Sequence, residues 1–202
     1  MLAFLGLCRG MTALDLNAAT GYYTELLARL VGPHGHVIAH NHPGILSMLG
    51  EKAISERYAA GRLPNVAPLI ARHHDLKLAS ASLDFVLMSM TYHDTYWYEP
   101  EVDWGPVDQV TFLKGLFCGL KPGGVVGVID HVAEADTDPV ASVRALHRID
   151  PEVVRRDFGR TGFLLEAESD VLRNPADDHK RCVFDAAIYG QTDRFVMRFR
   201  RP

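Results

Sequence analysis

The segment TALDLNAATGYYTELLARLVG, residues 12–32, decides the fold of this chain. It opens with a short apolar run at 12–16, which predicts a buried strand. Small residues fill the turn at 17–21, and an apolar pattern with helical spacing then runs from Gly21 to the Gly-Pro pair at 32–33. A strand that passes through a tight turn directly into a helix is typical of a parallel sheet covered by helices.

The same alternation of strand and helix continues along the whole chain. The predicted strands are 12–16, 36–39, 65–71, 82–90, 125–130, 163–169 and 194–200. The predicted helices are 22–32, 45–60, 107–120, 140–148 and 151–160. We therefore predict one α/β domain over residues 1–202, with a doubly wound, mostly parallel sheet, an antiparallel last strand and helices on both faces.

The composition narrows the classes of partner. The net charge is −4, and the only basic cluster, residues 198–201, alternates with apolar residues as an edge strand does; nucleic acid is therefore not expected as a partner. The three cysteines are far apart and form no CxxC pair, which favours a reducing, cytoplasmic location over a disulfide or zinc-thiolate framework. No apolar run reaches the length of a membrane span, so no membrane association is expected.

The turn after the first strand has the strongest functional signal. Asp15 ends the strand, and in doubly wound sheets ligands bind at this edge, beside the helix N-terminus. The G-x-G-x-x-G fingerprint of dinucleotide sites is absent. A carboxylate beside small residues suits the positively charged ammonium and sulfonium groups of S-adenosylmethionine better than it suits a negatively charged phosphate. The alternative is an ordinary packing corner without a ligand.

Several motifs, in the expected order, resemble those of class I, Rossmann-like methyltransferases that use S-adenosylmethionine. They are LDLNAATGYYTELLARLVGPHGHVIAHN, the loop with Asp75, SLDFV at 82–86 and LKPGG at 120–124. The resemblance implies S-adenosylmethionine as cofactor, bound by Asp15, Asn17, Ala19, Gly21, Asn41 and Asp75. More narrowly, YHDTYW, VIDH and LHRID resemble a bacterial group of predicted methyltransferases, relative to which the N-terminal helical region is shortened.

The chain departs from the family pattern at three of these positions. Asn17 and Ala19 replace two of the three glycines of the first motif, and only Gly21 remains. Asn41 stands where the family has an acidic residue that holds the ribose, and its amide can still accept and donate single hydrogen bonds. These departures predict weaker cofactor binding rather than a different fold.

The acceptor side of the predicted site follows the fourth and fifth strands. The predicted catalytic residues are His93 as general base, Asp94 as its orienting partner, and His131. The predicted substrate-binding residues are Tyr92, Tyr96, Trp97 and His147, whose rings can wall a cavity or contact a sulfonium. The alternative is that His93 caps a strand end and the aromatic residues fill the core. The segment 173–178 is expected to form a lid or turn with solvated charges.

The sequence thus predicts methyl transfer to a hydroxyl, thiol or amine of a small molecule, with no metal in that reaction. One rival is a metal-assisted lyase or hydrolase that uses His93, His131 and His147. The other is a degenerate protein that binds adenosyl ligands without turnover. The acceptor and the oligomeric state stay open, with a homodimer among the options.

Overall fold

The computed structural model describes residues 1–202, except for the side chains of residues 59 and 60. Seven strands form one sheet in the order β3-β2-β1-β4-β5-β7-β6, and β7 alone runs opposite to the other six. The strands are β1 (Thr12–Leu16), β2 (His36–Asn41), β3 (Val66–Ile70), β4 (Leu83–Ser89), β5 (Leu120–His131), β6 (Leu164–Ser169) and β7 (Arg194–Arg200). The predicted topology, including the antiparallel last strand, is confirmed.

Six α-helices accompany the sheet among the residues that the structure describes. They are α1 (Tyr22–Val31), α2 (Pro43–Leu49), α3 (Glu51–Ser55), α4 (Gln109–Gly119), α5 (Pro139–Leu146) and α6 (Pro151–Arg160). Short 3₁₀ helices lie at Glu56–Gly61, His73–Asp75, His93–Tyr96 and Pro100–Val102. None of the helices within this description is long and apolar enough to cross a bilayer.

Both faces of the sheet are buried at its central strands, as the unbroken apolar run of β4 predicts. Val86 and Met88 belong to a buried cluster that includes side chains of α4 and α6. Phe85 and Leu87 point the other way, into a second cluster with Leu27 of α1. Successive residues of a strand face opposite sides, so a continuous apolar strand requires a cover on each face.

Two predicted elements differ from the structure. The single helix predicted at 45–60 is wrong: Gly50, at φ 81°, ends α2 after Leu49, and α3 begins at Glu51. Apolar periodicity cannot reveal this break, because a glycine can also continue a helix. The fifth strand begins at Leu120 rather than Val125, with an irregular register between Leu83 and Phe85 of β4.

Candidate functional site

The site lies at the carboxyl edge of the sheet, where the chain changes direction. From β1 the chain builds β2 and β3 on one side, and it then returns to form β4 on the other side. The connections after β1 and β4 therefore diverge and leave a crevice between them. Asp15 is level with Leu87 of β4, and Ser89 is level with Ile129 of β5. The residues that follow β1, β4 and β5 consequently begin at about the same level along the strand direction.

The turn after β1 keeps a backbone shape that favours glycine. Asn17, Ala19 and Gly21 all have positive φ angles, of 51°, 50° and 79°. Asparagine tolerates this conformation better than most residues, whereas alanine is strained by about 1–2 kcal/mol. At Gly21, a Cβ would also lie 2.9 Å from Tyr58 Cζ. The turn has thus kept its conformation although two glycines are missing.

Asn41, at the end of β2, is bound to this turn. Its Oδ1 accepts a hydrogen bond from the Ala19 N–H at 2.7 Å, and its Nδ2 donates to the Ala19 carbonyl at 3.1 Å. The amide oxygen of Asn41 can accept one more hydrogen bond, and its amide nitrogen can donate one more. Asn17 is held too: its Oδ1 accepts from the His42 N–H at 3.3 Å, and its Nδ2 lies 3.2 Å from His73 Nε2. Two polar side chains therefore fix the shape of the turn.

The carboxyl group of Asp15 faces helix α1. It accepts a hydrogen bond from Thr24 Oγ1 at 2.6 Å and is 2% exposed. Burial raises the pKa of Asp15 to about 7, although the hydrogen bonds with Thr24 act in the opposite direction. The group is therefore close to half-protonated at neutral pH.

An aromatic stack borders the turn, and the sequence analysis missed it. Trp104 is buried, its ring centroid lies 4.2 Å from that of His42, and its Nε1 donates to the Asp94 carbonyl at 3.1 Å. His42 stacks in turn on His73, with ring centroids 5.1 Å apart. Burial lowers the pKa of both histidines, to about 4 for His42 and about 3 for His73, so both rings are neutral. Trp104 thus links the end of β2 to the segment that follows β4.

A second cluster forms where β4 and β5 end. His93 Nδ1 lies 2.7 Å from Asp130 Oδ1, and the His93 N–H donates to Asp130 Oδ2 at 3.0 Å. On its other side, His93 Nε2 lies 3.2 Å from Asp94 Oδ1. The rings of His147 and His131 have their centroids 5.6 Å and 6.1 Å from that of His93. Residues from three separate elements therefore meet around one imidazole.

The charges in this cluster are strongly coupled. Burial alone lowers the pKa of His93, but the carboxylates of Asp130 and Asp94 outweigh it and raise that pKa to about 9. Burial likewise raises the pKa of Asp94, to about 6, with the His93 charge acting in the opposite direction. Burial lowers the pKa of both His131 and His147 to about 4. His93 is thus protonated at neutral pH, and a role as general base requires that it first lose this proton.

The loop between β6 and β7 closes one side of the cluster. Arg148 is fully buried and donates to Asp177 at 2.9 and 3.0 Å. The same loop supplies Thr192, whose Oγ1 lies 2.8 Å from His131 Nδ1, and Phe184, whose ring packs on His147 at 4.9 Å. The expectation that the charges of 173–178 are solvated is therefore wrong for Asp177, because its carboxylate neutralises a buried guanidinium.

Comparisons with known proteins agree on the architecture. No family model matches the chain. A curated relative, "Demethylmenaquinone methyltransferase" from Geobacillus sp. (strain WCH70), is 26% identical over 118 residues, which are 58% of this chain. The chain covers 44% of that relative, less than half its length.

Solved structures match over nearly the whole chain. A SAM-dependent methyltransferase from Aquifex aeolicus has a TM-score of 0.66 at 20% identity and covers 100% of this chain and 87% of its own. An S-adenosylmethionine-dependent methyltransferase from Mesorhizobium loti also scores 0.66, at 16% identity, over 99% of this chain and 95% of its own. The chain has the class I methyltransferase fold. The [4+2]-cyclase SpnF, at 17% identity, covers 97% of this chain and 76% of its own with the same score, so the fold alone does not fix the reaction.

On the class I methyltransferase fold, most of the predicted residues fall into two groups. In the first group Asn41 is hydrogen-bonded to Ala19, and Asn17 is hydrogen-bonded to His42, the residue after Asn41. Asp15 and Gly21 flank the same turn. Asp75 lies apart, in the loop after β3, where its half-exposed carboxylate is 3.8 Å from Arg72 Nη1. The predicted catalytic residues meet in the second group, which His147 and Trp97 also join, with their rings 5.2 Å apart.

Tyr92 and Tyr96 do not line this cluster. Tyr92 is fully buried in the core, and its hydroxyl donates to Asp157 Oδ2 at 2.9 Å. Tyr96 donates to the same carboxylate. This placement corrects the expectation that Tyr92 walls the acceptor cavity. Asp130, which the sequence analysis did not single out, is in turn the central carboxylate; its position as a polar residue ending an apolar central strand was the available signal.

Proposed function

We propose that this chain transfers a methyl group from S-adenosylmethionine to a hydroxyl, thiol or amine of a small molecule. The observation that supports the proposal is the turn with positive φ angles at Asn17, Ala19 and Gly21, at the same edge of the sheet as the histidine–carboxylate cluster. The fold supports the same activity, and so does the curated relative, which is named a methyltransferase. The net negative charge favours a small molecule over nucleic acid as the acceptor.

The residues of the turn fit the cofactor. Because glycine has no side chain and alanine only a methyl group, a ligand can approach the backbone of the turn closely. Asn41 has one free acceptor and one free donor position, which suit a ribose hydroxyl pair. When bound, S-adenosylmethionine supplies the electrophilic methyl group of its sulfonium. We assign Asp15, Asn17, Ala19, Gly21, Asn41 and Asp75 to this side of the site.

The acceptor side has two tasks. The acceptor atom forms a bond to the methyl carbon as the carbon–sulfur bond breaks, and the proton of the acceptor must leave. Alignment of the two reacting atoms is the larger contribution in such displacements. We assign it to the walls of the cluster, Trp97 and His147. His93, Asp94 and His131 are the groups within the cluster that can take up or relay the proton.

Cofactor binding is the first test of this proposal. Tag-free protein titrated with S-adenosylmethionine and S-adenosylhomocysteine in a calorimeter should bind both. Asp75→Ala removes one exposed hydrogen-bonding group and should weaken binding about three- to tenfold. Asp170→Ala, an exposed aspartate at the far end of the sheet, is the matched control and should leave affinity unchanged. Folded wild-type protein that binds neither ligand would refute the proposal.

Turnover is the second test. Release of S-adenosylhomocysteine should be measured against a panel of small phenols, thiols and amines. His93→Ala should keep the cofactor affinity of the wild type and abolish turnover, because the ring lies with the acceptor cluster rather than with the turn. A variant with equal turnover would remove His93 from the reaction.

A further inference from the structure

Three potential metal-binding groups converge in the acceptor cluster. One ligand atom each from His93, Asp94 and His147 lies within 4.8 Å of the other two. Because no separation exceeds that limit, some point lies within about 2.8 Å of all three atoms. Movements below about 1 Å would therefore bring them to the metal–ligand lengths of about 2.1 Å found for histidine and carboxylate. His93 Nε2 and Asp94 Oδ1, at 3.2 Å, already have the separation of adjacent ligands in such sites.

The orientation of His93 is fixed for this purpose. Asp130 holds Nδ1 through a 2.7 Å contact and also accepts the main-chain N–H of His93. With Nδ1 committed to a carboxylate, Nε2 is the atom left for a ligand. Metal-bound histidines almost always have such a carboxylate or carbonyl behind the other ring nitrogen. Asp130 thus stands where a supporting carboxylate belongs.

His131 does not complete this set. Its Nδ1 lies 2.8 Å from Thr192 Oγ1, and its ring centroid is 6.1 Å from that of His93. The ligand trio of His93, His131 and His147 that the sequence suggested is therefore replaced by one in which Asp94 stands in for His131.

The charge balance of the cluster favours a cation. Asp130 is without solvent contact, the side chain of Asp94 is 15% exposed, and the two carboxylates share one imidazole between them. Carboxylates and imidazoles are the ligand types that divalent transition metal ions take in proteins. His147 is half-buried, and its ring packs against those of Trp97 and Phe184.

We propose that His93, Asp94 and His147 form a site for a divalent transition metal ion such as Zn²⁺. Two imidazoles and one carboxylate leave at least one coordination position for an exogenous ligand, as catalytic sites do. The role of the metal rests on the proposed function: the open position would take the hydroxyl, thiol or amine of the acceptor and lower the pKa of that group before methylation.

Direct metal binding tests this site without reference to activity. Tag-free protein treated with a chelator and dialysed should be titrated with Co²⁺, followed by its visible absorption, and with Zn²⁺ by calorimetry. We expect one equivalent of each, with Co²⁺ bands of four- or five-coordinate geometry. His147→Ala and Asp94→Asn should each weaken Zn²⁺ binding at least 100-fold, whereas His34→Ala, an exposed histidine, should not change it. Circular dichroism confirms that each variant is folded.

Two results would overturn the site. One is the absence of stoichiometric binding by folded wild-type protein, and the other is binding that His147→Ala and Asp94→Asn leave intact. Loss of binding in His131→Ala, with His147→Ala unaffected, would also contradict the assignment. Calorimetry with S-adenosylmethionine in the presence of chelator reports on the proposed function separately, so either proposal can fail while the other stands.

Discussion

Replacement of Arg148 by methionine should destabilise the protein strongly. Arg148 donates two hydrogen bonds to the Asp177 carboxylate and another, at 3.0 Å, to the Val132 carbonyl, all without solvent contact. In Arg148→Met the carboxylate keeps the N–H groups of Asp193 and His179 but loses its counter-charge. Removal of one partner of a buried ion pair costs about 3–5 kcal/mol.

This loss is large compared with the stability of a typical protein, about 5–15 kcal/mol. Equilibrium unfolding in urea, followed by circular dichroism at pH 7, should show a midpoint lower by about 1–2 M. Arg144→Met removes an exposed arginine from α5, one helical turn earlier, and serves as the matched control. It should change the free energy of unfolding by less than about 0.5 kcal/mol.

A second substitution separates charge from packing. In the Arg148→Met background, Asp177→Asn neutralises the stranded carboxylate while an amide oxygen still accepts a main-chain hydrogen bond. The double variant should therefore be more stable than Arg148→Met alone, which is a failure of additivity expected only for interacting residues. A loss below about 1 kcal/mol in Arg148→Met, or a double variant that is less stable than the single one, would refute the reasoning.

Three further predictions concern the turn after β1. Ala19→Gly should stabilise the protein by about 1 kcal/mol in urea unfolding because it relieves a positive φ angle, whereas Ala18→Gly, next to it without that strain, should destabilise it; the same sign for both would contradict the turn geometry. Between about pH 4 and pH 7 Asp15 is ionised in the unfolded protein and protonated in the native one. As the pH rises through this range, the free energy of unfolding of the wild type should therefore fall relative to that of Asp15→Asn by about 1.4 kcal/mol per pH unit, roughly 4 kcal/mol in all. Parallel pH profiles for the two proteins would show that the native pKa is not raised. Gly21→Ala should lower the free energy of unfolding by about 1–3 kcal/mol, because the new methyl group meets the ring and hydroxyl of Tyr58. Tyr58→Phe in the same protein removes that hydroxyl and should recover part of the loss. If nothing is recovered, the strain lies in the backbone alone.

The succession of strands and helices could be predicted from the sequence because each element has a local signal. The apolar run of β4 specifies burial on both faces, and the turn at 17–21 specifies the passage from strand to helix. Local signals failed where a single residue has two permitted conformations. Gly50 can continue a helix or break it, and with the break Ile45 of α2 and Ile54 of α3 join Trp104 in one buried cluster.

The sequence also placed the chemistry at the correct edge of the sheet, since the carboxyl ends of parallel strands share that edge. It could not assign partners within the site. Whether His93 meets Asp130, 37 residues away, in addition to its neighbour Asp94 depends on the level at which β4 and β5 pair. The hydrogen bond from Trp104 to the Asp94 carbonyl, ten residues earlier, likewise depends on how the chain folds back after β4, which no local sequence pattern predicts.

The amino-acid sequence by itself determined the doubly wound sheet, its antiparallel last strand and the turn that faces the crevice. These features follow from the spacing of apolar residues and from the backbone angles that small residues permit, both of which are properties of short segments. The tertiary structure alone decided that Asp130 orients His93, that Asp177 neutralises Arg148, and that Tyr92 lies in the core. Hydrogen bonds and ion pairs between distant residues depend on distances of a few ångströms, and those distances exist only once the strands have taken their register.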